Sequence, residues 1–236
     1  MSCTRNIDKI NFYYNINGVL LQKCNAYRDL GVIIDSTLSF VPHIEQMVNS
    51  SLRTVGFIIR NGTDFKDVFS IKILFYTLVR SKLEYCCIIW MPYYQVYINL
   101  VENVLRKIAK FIYFKMYGTY PPQHCDSRAL FDIIGESSLQ SRRNMACISF
   151  MQKLINGNIS CTSILESIKF VCPRVNCRTP TTFYYKVPCT YHHFNSPLIR
   201  CLRLSNCIIP HGVDVFFDNF YNPRLKLKLL TVCRNF

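Results

Sequence analysis

The hydropathy pattern predicts a mainly α protein with a small N-terminal antiparallel β piece (α+β), a helical bundle, and an irregular basic C-terminal region. Three observations carry this. Strand-like segments are confined to the first forty residues. Helical periodicity then recurs in four runs between His43 and Asn156. Beyond Pro173 that periodicity fades into Pro-punctuated, Tyr-rich chain. The boundaries so read are 1–40, 41–120, 121–172 and 173–236.

The elements follow in order. "KINFYYNINGVLLQ" (9–22) places Asn17-Gly18 between two apolar runs, the strongest short hairpin signal. "LGVIID" (30–35) reads as a third strand, because Val and Ile suit a pleated, buried surface. Pro42 breaks that pattern. Ile44, Met47, Val48, Leu52, Val55, Ile58 and Ile59 then recur at helical spacing as far as Asn61-Gly62. Asp67 is positioned to cap a second helix whose inward stripe is Ile71, Leu74, Phe75, Leu78 and Val79. A third helix, 98–116, turns Ile98, Val101, Leu105, Ile108 and Ile112 inward and stops at Gly118 and Pro121-Pro122. A fourth runs from about Leu139 to Asn156, with Gly157 at its C-terminal cap.

Composition narrows the class. Of 236 residues, 50% are hydrophobic and 18% charged, so the chain has the means to bury a core. A mean hydropathy of +0.12 suggests an apolar face that expects a partner. The net charge of +14 favours a polyanionic partner. Because the two halves carry 14 basic residues each, that charge is distributed rather than held in a tail. No run of 18 uncharged apolar residues predicts a membrane span, and "MSCTRNIDKI" has no secretory pattern, so an intracellular location, cytoplasmic or nuclear, is expected. Thirteen cysteines, an odd number at irregular spacing, read as reduced thiols rather than a disulfide framework.

Two stretches then carry a resemblance. "INGVLL…RDLGVIIDSTLSFVPHIEQMV", followed by "VGFIIRN", "FKDV" and "LVRSKLEYCCIIWMPYY", resembles reverse transcriptases of non-LTR (LINE-type) retrotransposons, jockey-like insect elements above all. "PLIRCLRLSN" and "VDVFFDNF" are similar to the end of those polyproteins. The resemblance implies that "RDLGVIID" belongs to the hairpin region that seats the primer end, that the helices after it form the thumb, and that "MSCTR" corresponds to the last palm strand.

The same resemblance implies an RNA-directed DNA polymerase using two Mg²⁺ ions held by an aromatic-x-Asp-Asp turn and an upstream Asp. This sequence has no adjacent Asp-Asp pair. Asp29 and Asp35, read on one strand, stand roughly 20 Å apart and cannot hold a metal pair. The expectation is therefore no catalytic residue and no cofactor in this chain, which would bind template–primer without polymerising alone. A thumb touches the nucleic-acid backbone, so point charges on helix faces suffice. The candidates are Arg53 and Arg60 on the first helix, Arg106, Lys107, Lys110 and Lys115 on the third, and Arg142 and Arg143 on the fourth. The expected partners are an RNA–DNA or RNA duplex, and the palm and fingers or an intact element polymerase.

Three rival readings stand beside it. Each cation equally suits a solvated helix face. The alternative for the chain as a whole is a non-enzymatic interaction module or a non-functional relic of an element. Cys172-x4-Cys177-x11-Cys189-x2-His192 has the residue types of a zinc site without a tight Cys-x2-Cys pair. The tyrosines around Pro92, with Trp90, suit interhelical packing more than base stacking, and Cys86-Cys87 suits core.

Overall fold

The structure, a computed structural model, describes residues 1, 3, 12–123, 125–172, 181–187, 190–216, 229, 230 and 232. The protein is mainly helical with small antiparallel two-stranded pieces, two of them N-terminal.

Strands β1 (Asn15–Ile16) and β2 (Val19–Leu20) pair around Asn17-Gly18, both at positive φ (50° and 82°) as a type I′ turn requires. Strands β3 (Ala26–Asp29) and β4 (Val32–Asp35) form a second hairpin with Asp29 opposite Val32 and Ala26 opposite Asp35. This corrects the single-strand reading of 30–35. The turn is Leu30-Gly31, with φ of 44° and 88°, and a leucine at the first left-handed position hides it from sequence rules. The Tyr85 hydroxyl donates to the Leu30 carbonyl at 2.9 Å and steadies that turn. Asp29 and Asp35 thus lie at opposite ends of one hairpin, three residues or about 10 Å apart along it, still too far for one metal pair.

Asp35 has a structural task. Its carboxylate accepts from the Thr37 and Phe40 amides at 3.2 and 2.8 Å, from Ser39 Oγ at 3.0 Å, and from Thr37 Oγ1. That shapes the entry to α1 (Val41–Asn61), whose cap Phe40 supplies no side-chain bond. Burial pushes the Asp35 carboxyl up, but these donors outweigh it and hold it at about 2, below the usual 3.8. Because the folded value is depressed, this contribution is present above about pH 4 and disappears as pH falls toward 2. Asp35→Ala should cost about 2 kcal/mol at pH 7, since buried donors lose a charged acceptor. In urea denaturation, the gap between variant and wild type should close on acidification to about pH 2. A gap independent of pH would refute that account.

Helix α2 (Val68–Phe75) begins at Asp67, which accepts from the Phe69 and Ser70 amides at 3.0 and 3.2 Å, the cap read from sequence. The helix then runs through a π-helical turn, Tyr76–Arg80, into α3 (Ser81–Glu84). The wider turn changes the inward stride to four residues, so Ile71, Phe75, Val79 and Leu83 are all buried. Leu78, expected inward, faces out at 38% exposure for the same reason. A short α4 (Cys87–Trp90) ends in Trp90, whose indole N–H donates to the Tyr85 carbonyl at 2.7 Å and whose ring meets His43 edge-on.

Helix α5 (Gln95–Tyr117) runs through the centre and packs on α1, α2, α6 (Ser127–Ile134) and α7 (Leu139–Ile155). It stops at Gly118 (φ 74°), as expected. These helices close one apolar core around Ile44, Val55, Phe75, Trp90, Leu105, Ile108 and Phe131. A second core gathers Cys147, Ile148, Met151 and Leu154 of α7 against later chain. That chain holds α8 (Thr162–Glu166), β5 (Lys169–Phe170) paired with β6 (Phe183–Tyr184), α9 (Tyr191–Phe194) and α10 (Pro197–Ile208).

Helix α10 corrects the irregular reading of residues 197–208. Pro197 occupies its first turn, where a missing N–H costs nothing. Cys201, Leu204 and Ile208 form its buried stripe against α7. Asn206 ties β6 to it, accepting from the Thr182 and Phe183 amides at 3.2 and 3.0 Å and donating to the Phe183 carbonyl at 2.8 Å.

Candidate nucleic-acid interface

The eight predicted cations separate by what surrounds them. Arg143 is 1% exposed, and its nearest carboxylate oxygen, on Glu102, lies 3.7 Å from Nη2. Arg142 grips Glu84 of α3 through both Nε and Nη2. Lys115 donates to the Thr63 and Phe65 carbonyls and lies 5.8 Å from the Phe111 ring centroid, closing the loop after α1. Arg106 joins α5 to α6 through Ser127 Oγ at 2.8 Å while also bonding Asn103 at 2.6 Å. These four were expected to reach a phosphate backbone. Each of them makes contacts inside the protein, and Arg143 alone is buried, a difference that sequence spacing does not reveal.

Arg53, Arg60, Lys107 and Lys110 make no ion pair among the described residues. Arg53, Arg60 and Lys107 are exposed and Lys110 is half-buried. Lys110 follows Arg106 by one turn, placing it on the α6 side of α5. Arg53 and Arg60 share an exposed α1 stripe with Gln46, Ser50 and Phe57, spaced 4, 3, 4 and 3 residues apart.

That stripe leads into a cavity of about 460 Å³ between the β3–β4 hairpin, α1 and α3. Its walls include Arg28 from β3, His43, Met47 and Ser50 from α1, Lys82 from α3, and Tyr85 just beyond. Lys82 Nζ donates to Thr54 Oγ1 at 3.3 Å, so its charge sits over α1. Burial first, and the Arg28 charge second, lower the His43 imidazole below its usual 6.5, so it is neutral at pH 7. His43 Nδ1 accepts from the Ile33 amide at 3.3 Å, which assigns the remaining proton to Nε2. Arg28 and Lys82 therefore face one cavity at the hairpin end of α1, while Arg53 and Arg60 lie farther along the exposed α1 stripe. The acidic residues of these elements are Asp29 and Asp35 of the hairpin, Glu45 on α1, and Glu84, which Arg142 already engages.

A polar network fixes the α3 wall. Tyr76 donates to Glu136, Arg80 stacks 3.8 Å over the Tyr76 ring, and Arg80 also lies 3.6 Å from Glu136 and 3.8 Å from Glu84. Burial, reinforced by Glu136, pushes the Tyr76 phenol up to about 12, so it stays a donor. The network ties the π-turn and α3 to the segment between α6 and α7.

Aromatic candidates divide similarly. Trp90 is core, whereas Tyr93 and Tyr94 pack against Tyr191 and His192 of α9. Phe114 stacks on Tyr120. Cys87 is buried, as expected, and burial pushes its thiol up to about 12. Two members of the zinc-like quartet, Cys177 and Cys189, lie outside the described residues. Among the described residues no helix is long and apolar enough to cross a membrane.

No family model, curated protein or solved structure matches this chain.

Sequence reasoning had not singled out Arg28, Lys82 and His43 as site residues. Arg28 stands at the head of "RDLGVIID", but only the docking of its hairpin on Tyr85 brings it opposite Lys82.

Proposed function

We propose that this chain is the thumb and downstream region of a non-LTR retrotransposon reverse transcriptase, and that it holds the backbone of an RNA–DNA or RNA duplex without reading sequence. The observation supporting this reading is the cavity that Arg28 and Lys82 line between the β3–β4 hairpin, α1 and α3, with Arg53 and Arg60 on the exposed α1 stripe that leads from it. Point charges on helix faces bind phosphates whatever the bases.

The chain's own carboxylates do not fit the Mg²⁺ pair of such polymerases. Asp35 is engaged by four donors, and Asp29 stands at the other end of the hairpin. Polymerisation would thus depend on palm carboxylates supplied from outside this sequence. Filter binding with a primer–template duplex tests the reading. Affinity should fall steeply with salt, while Mg²⁺ and nucleotides should yield no primer extension by this chain alone. Indifference to nucleic acid overturns it.

A second reading, a protein-interaction module or relic, is favoured by the β1–β2 hairpin, where Tyr13, Val19 and Leu20 are 75%, 68% and 67% exposed. Such an edge suits pairing with another chain, a palm included. Nucleic-acid indifference combined with a stable protein complex selects it.

A further inference from the structure

The sequence contains three Asn-Gly pairs, Asn17-Gly18, Asn61-Gly62 and Asn156-Gly157, and the fold treats them differently. Asn-Gly is chemically fragile because glycine has no side chain to keep its own nitrogen away from the asparagine Cγ. That nitrogen must be free of hydrogen bonds, and the backbone must be able to turn until it reaches Cγ. A bonded glycine N–H or a packed helix end denies both.

Two of the pairs are held in this way. Asn61 is the last residue of α1, its Nδ2 donates to the Phe57 carbonyl at 2.8 Å, and the Gly62 N–H donates to the Ile58 carbonyl at 2.7 Å. Gly62 is buried, and an added Cβ there would lie 3.2 Å from the Phe111 ring of α5. Asn156 caps α7, its N–H donating to the Gln152 carbonyl at 2.9 Å and the Gly157 N–H to that of Leu154 at 3.3 Å. The Ile159 N–H then closes back on the Lys153 carbonyl at 3.1 Å.

Asn17-Gly18 has neither restraint. The β1–β2 ladder pairs Ile16 with Val19 and leaves both turn residues outside it. Among the described residues the Gly18 N–H makes no hydrogen bond. Asn17 is exposed, and an added Cβ on Gly18 would meet nothing within 4 Å. All four strand residues are exposed and only two residue pairs hold the hairpin, so opening it costs little.

We propose that Asn17 is a site of spontaneous deamidation to isoaspartate, with water as co-reactant, and that this conversion dismantles the β1–β2 hairpin. When the hairpin opens, the Gly18 nitrogen loses its proton to base and attacks the Asn17 Cγ. The new N–C bond forms, the Cγ–Nδ2 bond breaks, and the amide nitrogen takes a proton and leaves as ammonia. Water then opens the cyclic imide at either carbonyl carbon, giving aspartate or, with the main chain rerouted through Cγ, isoaspartate. No electrons are transferred; one water enters and one ammonia leaves. Isoaspartate adds one carbon to the main chain, so the two-residue turn with its paired left-handed positions no longer fits. It also sets a carboxylate at the tip of the edge that exposes Tyr13, Val19 and Leu20. That pairing edge is therefore withdrawn as the chain ages, whether or not the chain binds nucleic acid.

To test this, the folded full chain is incubated in mildly alkaline buffer and digested. Isoaspartate is then mapped with an isoaspartate-specific methyltransferase and a labelled methyl donor. A synthetic peptide of residues 9–22 sets the unrestrained rate. Residue 17 should convert within about tenfold of the peptide's rate, while residues 61 and 156 lag by about 100-fold or more. The converted fraction, separated by its added negative charge, should lose the cross-strand NMR contact between residues 16 and 19. Asn17→Gly keeps a turn open to left-handed residues and cannot cyclise, so it should abolish the signal at residue 17 and retain that contact. Conversion at residue 61 or 156 ahead of residue 17 overturns the proposal. So does a residue 17 that stays amidated after the peptide has converted, or a converted fraction that retains the contact. All three outcomes are read on the wild-type chain, so a variant that fails to fold does not affect them.

Discussion

Replacing Glu102 with alanine should lower the unfolding free energy by about 3–5 kcal/mol, because it strands a buried guanidinium. Glu102 is the nearest carboxylate to Arg143, and it also accepts from the Leu139 and Gln140 amides at 3.2 and 2.7 Å. Those amides belong to the first turn of α7, where unmet donors and the positive end of the helix dipole both favour a carboxylate. One side chain on the central helix therefore anchors the start of α7 and offsets the Arg143 charge. The corresponding fall in melting temperature is roughly 10 °C for a chain of this size.

Arg143 itself should behave differently. Met has a similar volume and no charge, so Arg143→Met should change stability by less than about 1 kcal/mol or raise it. Combined with Glu102→Ala, it should restore most of what Glu102→Ala loses, leaving only the α7 capping cost of about 1 kcal/mol. A thermal-melt cycle over the four proteins measures the coupling. Additive losses would mean that Glu102 acts on α7 alone.

The same residues show where sequence reading reaches and where it stops. Helices α1, α5 and α7 were legible because their apolar stripes are long and their stops are Gly62, Gly118 and Gly157. Asp67 was legible as a cap because capping is local chemistry. The β3–β4 turn was not, since Leu30 occupies a left-handed position that sequence rules reserve for Asn or Gly. Nor was the π-turn, whose four-residue stride fits a helical stripe until Leu78 is asked to face inward. Helix α10 hid because Arg200 and Ser205, polar by type, are buried on its core face.

The charged residues show the limit most clearly. Arg53 and Arg143 look alike in sequence, each a cation on an amphipathic helix. What separates them is whether a neighbouring helix covers their face, which is a tertiary fact. Arg28 and Lys82, far apart in the chain, meet at one cavity through the hairpin's docking on Tyr85.

If Arg28, Arg53, Arg60 and Lys82 each sit on a duplex phosphate, binding should show a log–log salt slope of about −3 to −4. Raising salt from 50 to 200 mM would then weaken binding roughly 100-fold. Arg53→Ala and Lys82→Ala should each reduce the slope by about one, equally for duplexes of unrelated sequence. Removing all four charges should leave only weak, salt-insensitive retention. Arg142→Ala is the control: its guanidinium is committed to Glu84, so it should lower stability while leaving the slope unchanged. A slope near zero in the wild type, or one that Arg142→Ala alters as much as Lys82→Ala does, would remove these four cations from any nucleic-acid role. A steep slope that survives loss of all four cations would move the interface elsewhere, with the Lys107–Lys110 edge of α5 the next surface to vary.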